Sequence, residues 1–141
     1  MTVRNTISSL IASPHFLRRV LWLDAATGVA TGLLQLLLAA ELARLLGLPL
    51  ALLTLSGWAL LGFAAAIAFI ATRMFVPSAL VGLLIFANLL WVLACLAILF
   101  GGFLAPTLPG KLFVAVQALA VGLLVELQWF GLRKTAAQAA W

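Results

Sequence analysis

The chain has 141 residues, of which 67% are hydrophobic and 8% charged, and its mean hydropathy is +1.31. A soluble domain carries about a quarter of charged residues, so there are too few polar side chains here to clothe a water-exposed surface. The net charge of +5 would suit nucleic acid in a soluble protein, but the bases sit at the ends of apolar runs, where they meet lipid headgroups; the lipid bilayer, not nucleic acid, is the expected partner.

In chain order, residues 1–13 are short and mildly amphipathic, with Ile7, Leu10 and Ile11 at helical spacing among Ser and Thr, and read as an interfacial segment. Ser13-Pro14 then reads as an N-cap followed by proline at the first helical position. The first span covers about 18–41, and its helix continues through Ala43-Arg44 until Gly47 and Pro49 stop it. The second, about 50–72, contains no charge and closes at Arg73. Pro77 opens the third, about 77–100, which ends before Gly101-Gly102. A loop with Pro106, Pro109 and Gly110 follows, and Lys111 starts the fourth span, about 111–133. Arg133-Lys134 ends it ahead of a small polar tail, 135–141. Between Met74 and Gly110 the chain carries no charge.

Backbone amides tolerate hydrocarbon only when each N–H and C=O is satisfied within the segment, so these runs read as membrane-spanning helices. The expected fold class is an all-α integral membrane protein, an antiparallel four-transmembrane-helix bundle over 14–134. The first apolar run exceeds a usual signal-peptide core and three more spans follow, so no cleavable signal is expected. Arg4, Arg18, Arg19, Arg73, Arg133 and Lys134 fall on one side and Arg44 and Lys111 on the other. This imbalance predicts both termini in the cytoplasm, with Trp22 and Trp129 as aromatic anchors one turn inside. A shift of 60 positions aligns Leu48-Pro49 with Leu108-Pro109, Gly62 with Gly122 and Arg73 with Arg133, which leaves open whether the two hairpins repeat one another or coincide by leucine richness.

Ionisable groups at a helix centre in hydrocarbon cost about 2.5–3.5 kcal/mol on insertion scales. Two require a reason, Asp24 and Glu126, which share a depth on the first and last spans. At about 100° per residue, Asp24, Gly28, Thr31 and Gln35 form a stripe with Thr27 and Gly32 on its flanks. Gly28 and Gly32 form a GxxxG spacing that lets a neighbouring backbone approach. On the fourth span Ala115, Gly122, Glu126 and Arg133 share a face. The expectation is that the first and fourth helices pack through Gly28, Gly32 and Gly122, bringing Asp24 and Glu126 to Arg18, Arg19 and Arg133. Such a cluster is either a set of salt bridges that fixes register or a proton- or cation-binding carboxylate pair. Gln117, nine positions before Glu126, points the opposite way and is expected to meet Asn88, which shares a stripe with Cys95 and has Trp91 one turn later.

Other chemistry finds no residues. The single histidine, His15, stands at the lipid surface, so haem and zinc sites are not expected. Cys95 has no nearby acid or base to activate it, and no glycine-rich phosphate loop is present. No catalytic residue, cofactor or metal is therefore expected. The reading is a non-catalytic accessory or scaffolding membrane protein that forms a homo-oligomer or joins a larger membrane-protein complex. The alternative is a small proton- or cation-coupled transporter or channel using Asp24 and Glu126, with Asn88 and Gln35 contributing polar contacts.

Several short elements also look familiar: Leu23-Asp24-Ala25, Thr31-Gly32, Leu46-Gly47-Leu48-Pro49, Asn88-Leu89-Leu90-Trp91, Pro106-Thr107, Gln117-Ala118-Leu119, and Glu126-Leu127-Gln128 followed by Gly131-Leu132-Arg133. Together they resemble a family of small, uncharacterised four-span proteins of the bacterial inner membrane. The resemblance covers almost the whole chain; it implies that location, multi-pass, and no known activity. The four-span size is also similar to that of small multidrug resistance transporters. Those place an essential glutamate within the first helix, whereas Asp24 sits nearer the helix start and its surroundings depart from their pattern.

Overall fold

In a computed structural model of the chain, residues 3–4, 6–7 and 14–139 are described. They include five helices: α1 (Pro14–Leu37), α2 (Ala39–Leu46), α3 (Leu50–Ala71), α4 (Ser78–Phe100) and α5 (Leu108–Ala139). All but α2 are long and apolar enough to cross a membrane. At 1.5 Å per residue α3 and α4 measure about 33–35 Å, a little more than the roughly 30 Å of hydrocarbon they would have to cross. Most of the interfacial segment expected over 1–13 lies outside the described residues; residues 3–4 and 6–7 are helical and exposed.

Three boundaries differ from those expected. α1 breaks at Leu38 (φ −114°, ψ 24°), yet α2 follows directly and ends at Gly47 in the left-handed conformation (φ 65°), which only glycine adopts without strain. Leu108, Pro109 and Gly110 belong to the first turn of α5 rather than to the loop. Thr107 caps that turn: its Oγ1 accepts from the Gly110 N–H at 3.2 Å and donates to the Leu45 carbonyl at 2.7 Å. Its own N–H donates to the Leu46 carbonyl at 3.0 Å. Pro109 is tolerated there because first-turn amides have no intrahelical acceptor. At the other end α5 runs through Lys134 to Ala139, so the expected separate tail over 135–141 is replaced by helix as far as it is described.

α1 packs most extensively on α3 and α4 on α5, and the two pairs meet chiefly where α1 faces α5. The glycine contacts correct the expected interface. A Cβ on Gly28 would lie 3.2 Å from the Ala64 Cβ, and one on Gly32 would lie 3.0 Å from the Gly57 carbonyl oxygen, both on α3. A Cβ on Gly122 would meet nothing within 4 Å. The physical reason is a matching notch: Gly57 and Ala64 on α3 let two backbones approach, whereas the Gly122 face of α5 offers no neighbour to receive them. Leu21, Ala25, Ile67, Ile70, Ala71 and Leu84 fill the interior toward the arginine-bearing ends, and Leu46, Leu48, Leu53, Cys95 and Val114 fill it toward Gly47.

The tightest approach is Gly110, where an added Cβ would overlap the Leu46 carbonyl oxygen. Gly110→Ala is expected to destabilise by about 1–3 kcal/mol, the usual effect of overpacking. Gly122→Ala is expected to stay within about 0.5 kcal/mol of the parent. Reversible unfolding in mixed detergent micelles checks both; equal losses would place a neighbour on Gly122 that this fold does not provide.

Candidate functional site

α1, α4 and α5 each bring one polar side chain to a common point. Asp24, Asn88 and Gln128 are 5%, 4% and 0% exposed, too deeply enclosed to be surface groups. Asn88 Nδ2 donates to Asp24 Oδ2 at 2.9 Å and to Gln128 Oε1 at 3.3 Å. Gln128 Nε2 donates to the same Asp24 Oδ2 at 2.5 Å. Asp24 lies ten residues into α1, about 15 Å from its start, and side-chain amides from two other helices meet it. Burying a carboxylate is tolerable when donors meet it, and two amides do so here. Both bonds fall on Oδ2, and no bond to Oδ1 is formed among the described residues.

The acidic pair expected from the sequence does not form. Glu126 is exposed, and the helix period explains why: it stands two positions, about 200°, from Gln128, so once Gln128 faces inward Glu126 must face out. The arginines do not join the acids either. Arg18 donates to the carbonyls of Arg73 (2.7 Å) and Met74 (3.3 Å), bracing the turn between α3 and α4. Arg19 is exposed, and the Arg133 guanidinium lies 5.8 Å from the Trp129 ring centroid. Among the described residues the one ion pair links Arg44 to Glu41 on α2. Asn88 gives its amide to Asp24 and Gln128 instead of Gln117.

Gln128 is the partner to which the sequence reading gave no role. The signal was present: Gln117 and Gln128 are eleven residues apart, about 1100°, which returns them to nearly the same side of α5. The stripe of α1 does face inward, with Asp24, Gly32 and Gln35 buried. Gln35 Oε1 accepts from the Ser56 hydroxyl at 2.6 Å, joining α1 to α3.

Asp24 and Asn88 line a cleft of about 280 Å³ to which all four long helices contribute, with Thr31, Trp91 and Gln117 as further polar groups among apolar walls. Thr27, Ala59 and Ala120 on its margins are exposed, so it has a mouth on the surface of the helices and is not a sealed void. Its volume far exceeds what one water needs. A second, smaller cavity of about 100 Å³ is lined by Gln35, Ser56, Cys95 and Val114, and shares Trp91 and Gln117 with the first. The Trp91 indole N–H is buried and, among the described residues, is the one buried side-chain nitrogen or oxygen without a hydrogen-bond partner. No group of three or more His, Cys, Asp or Glu comes together among the described residues.

Asp24→Ala is expected to strand the Gln128 amide nitrogen, to leave Asn88 with Gln128 as its one acceptor, and to lower stability by about 1–3 kcal/mol, the penalty of a buried donor left unpaired. Glu126→Gln, on an exposed position, is expected to stay within about 0.5 kcal/mol. Chemical unfolding in detergent measures both, and a larger effect at Glu126 would contradict this geometry.

No family model matches the chain, no curated protein matches it, and no solved structure matches it.

Proposed function

We propose that this chain is a non-catalytic, multi-pass protein of the bacterial inner membrane that binds and carries a small amphiphilic cation in exchange for a proton. Its four long helices form an antiparallel bundle across the membrane with both termini in the cytoplasm, as the six-against-two distribution of bases favours. The observation that carries the reading is Asp24: a buried carboxylate on the wall of a mostly apolar cleft, with both its bonds on Oδ2. Oδ1 is then the atom at which a proton or a cation is held, and the apolar walls suit the hydrocarbon part of the ligand. Intramembrane carboxylates facing an internal cavity are where proton and ion paths are expected.

Tetraphenylphosphonium, an apolar cation, is the probe. Purified wild-type protein is expected to bind it, and Asp24→Asn to weaken binding by about tenfold or more, equivalent to about 1.4 kcal/mol of lost charge attraction. Because proton and probe compete for one carboxylate, binding falls as pH is lowered. Glu126→Gln leaves affinity unchanged. Binding that is indifferent to Asp24→Asn and to pH would overturn the reading.

A second reading, lateral association as an accessory or scaffolding subunit, is favoured by one observation. Glu126 lies on the outer stripe of α5 with the exposed Leu119, Leu123 and Phe130, and a carboxylate facing lipid at that depth is costly. A second copy of this chain or a larger membrane complex would cover it. Native mass spectrometry after gentle extraction is expected to show oligomers that Glu126→Leu alters; a monomer under all conditions would dismiss it.

A further inference from the structure

The two cavities follow one another along the helices. On α1 the first is lined by residues 24–31 and the second by 35; on α3 by 59–67 and then by 52–56. On α4 the order is 87–91 and then 91–98, and on α5 117–124 and then 113–117. Since α1 and α4 run opposite to α3 and α5 in this numbering, all four progressions lead the same way, from Asp24 toward the end that carries Gly47 and Pro106. Trp91 and Gln117 alone line both spaces. They stand on facing helices of the α4–α5 pair, and the indole N–H has no partner. A buried, unpaired donor beside two cavities is costly until a polar group or a water in one of them meets it.

We propose that Trp91 and Gln117 form the gate between two chambers of one path, with Asp24 in the first chamber and the Gln35–Ser56 pair in the second. The inference rests on the cation-binding reading of the Asp24 cleft and extends it by giving the bound ligand an onward route. The Trp91 ring closes the passage by bulk. Its N–H and the Gln117 amide supply polar contacts to the group that crosses. Such a barrier opens by side-chain rotation and needs no helix to separate from its neighbour.

The chain's single cysteine, Cys95, lines the second chamber beside the exposed Ala94, so the part of its modification rate that depends on Trp91 and Gln117 reports on the gate without any ligand. Full-length protein in proteoliposomes is treated with 2-aminoethyl methanethiosulfonate, a small cationic thiol reagent. Trp91→Ala is expected to speed Cys95 modification about tenfold or more, because access limits the rate at a buried thiol. Trp91→Phe, which keeps the bulk, is expected to react like the parent. Gln117→Ala, a smaller change on the opposite helix, is expected to accelerate modification too, and it guards against misfolding of the tryptophan variant. Rates unchanged in both alanine variants, or raised equally by Trp91→Phe, would overturn the gate. Loss of Asp24-dependent tetraphenylphosphonium binding with these rate differences intact would instead remove the cation reading and leave the gate standing.

Discussion

The buried polar contact that spans both helix pairs rests on one acceptor atom, Asp24 Oδ2, on which Asn88 and Gln128 converge. The three residues come from both helix pairs and are separated by 64 and 104 positions from the aspartate. Between apolar helices in lipid there is little hydrophobic force to choose one neighbour over another. Polar bonds of about 0.6 kcal/mol on average, reaching roughly 1.7, then discriminate by register more than by strength. A one-residue slip of α4 or α5 would rotate its amide by about 100° away from the carboxylate, so the bond set has a single satisfactory alignment.

The cleft beside that acceptor has an equally local cause. Ala59 and Ala64 on α3, Ala87 on α4 and Ala120 on α5 stand at its walls, and alanines at a level where four helices converge leave volume unfilled. Below it Leu21, Ala71 and Leu84 belong to one buried core cluster, and above it Leu53, Cys95 and Val114 belong to another that borders the second, smaller cavity. Gly28 and Gly32 seat α1 against α3, which leaves the Asp24–Thr31 side of the same helix turned to the space. One helix thus has a closely packed edge and an edge facing the cleft.

The helices and their stops were readable because they follow from composition and single residues: the uncharged stretch from Met74 to Gly110, the left-handed Gly47, the closure before Arg73. The inward stripe of α1 was readable from its period. Its partner was not, because a glycine notch says that something approaches without saying what; Gly57 on α3 decided it, and nothing in the spacing of Gly28 and Gly32 distinguishes Gly57 from Gly122. Glu126 drew attention through its charge, although phase placed it opposite Gln117 and therefore opposite Gln128. The extension of α5 through Lys134 was hidden because two adjacent bases end a span in the membrane without ending the helix. The Thr107 cap was hidden as well, since a loop of small residues and prolines does not reveal which carbonyls it will reach.

That cap has a mechanical consequence. At the Gly47 end the two helix pairs are pinned by backbone: the Thr107 N–H and hydroxyl hold consecutive carbonyls at Leu46 and Leu45, and Gly110 sits against the same turn. At the opposite end side chains join the pairs: Leu17 of α1 clusters with Val81 and Ile85 of α4, Asn88 and Gln128 hold Asp24, and Arg18 braces the turn between α3 and α4. The pairs are thus joined by main-chain carbonyls at one end and by side-chain packing at the other, so sliding α5 past α2 breaks the Thr107 hydrogen bonds before it disturbs the buried core.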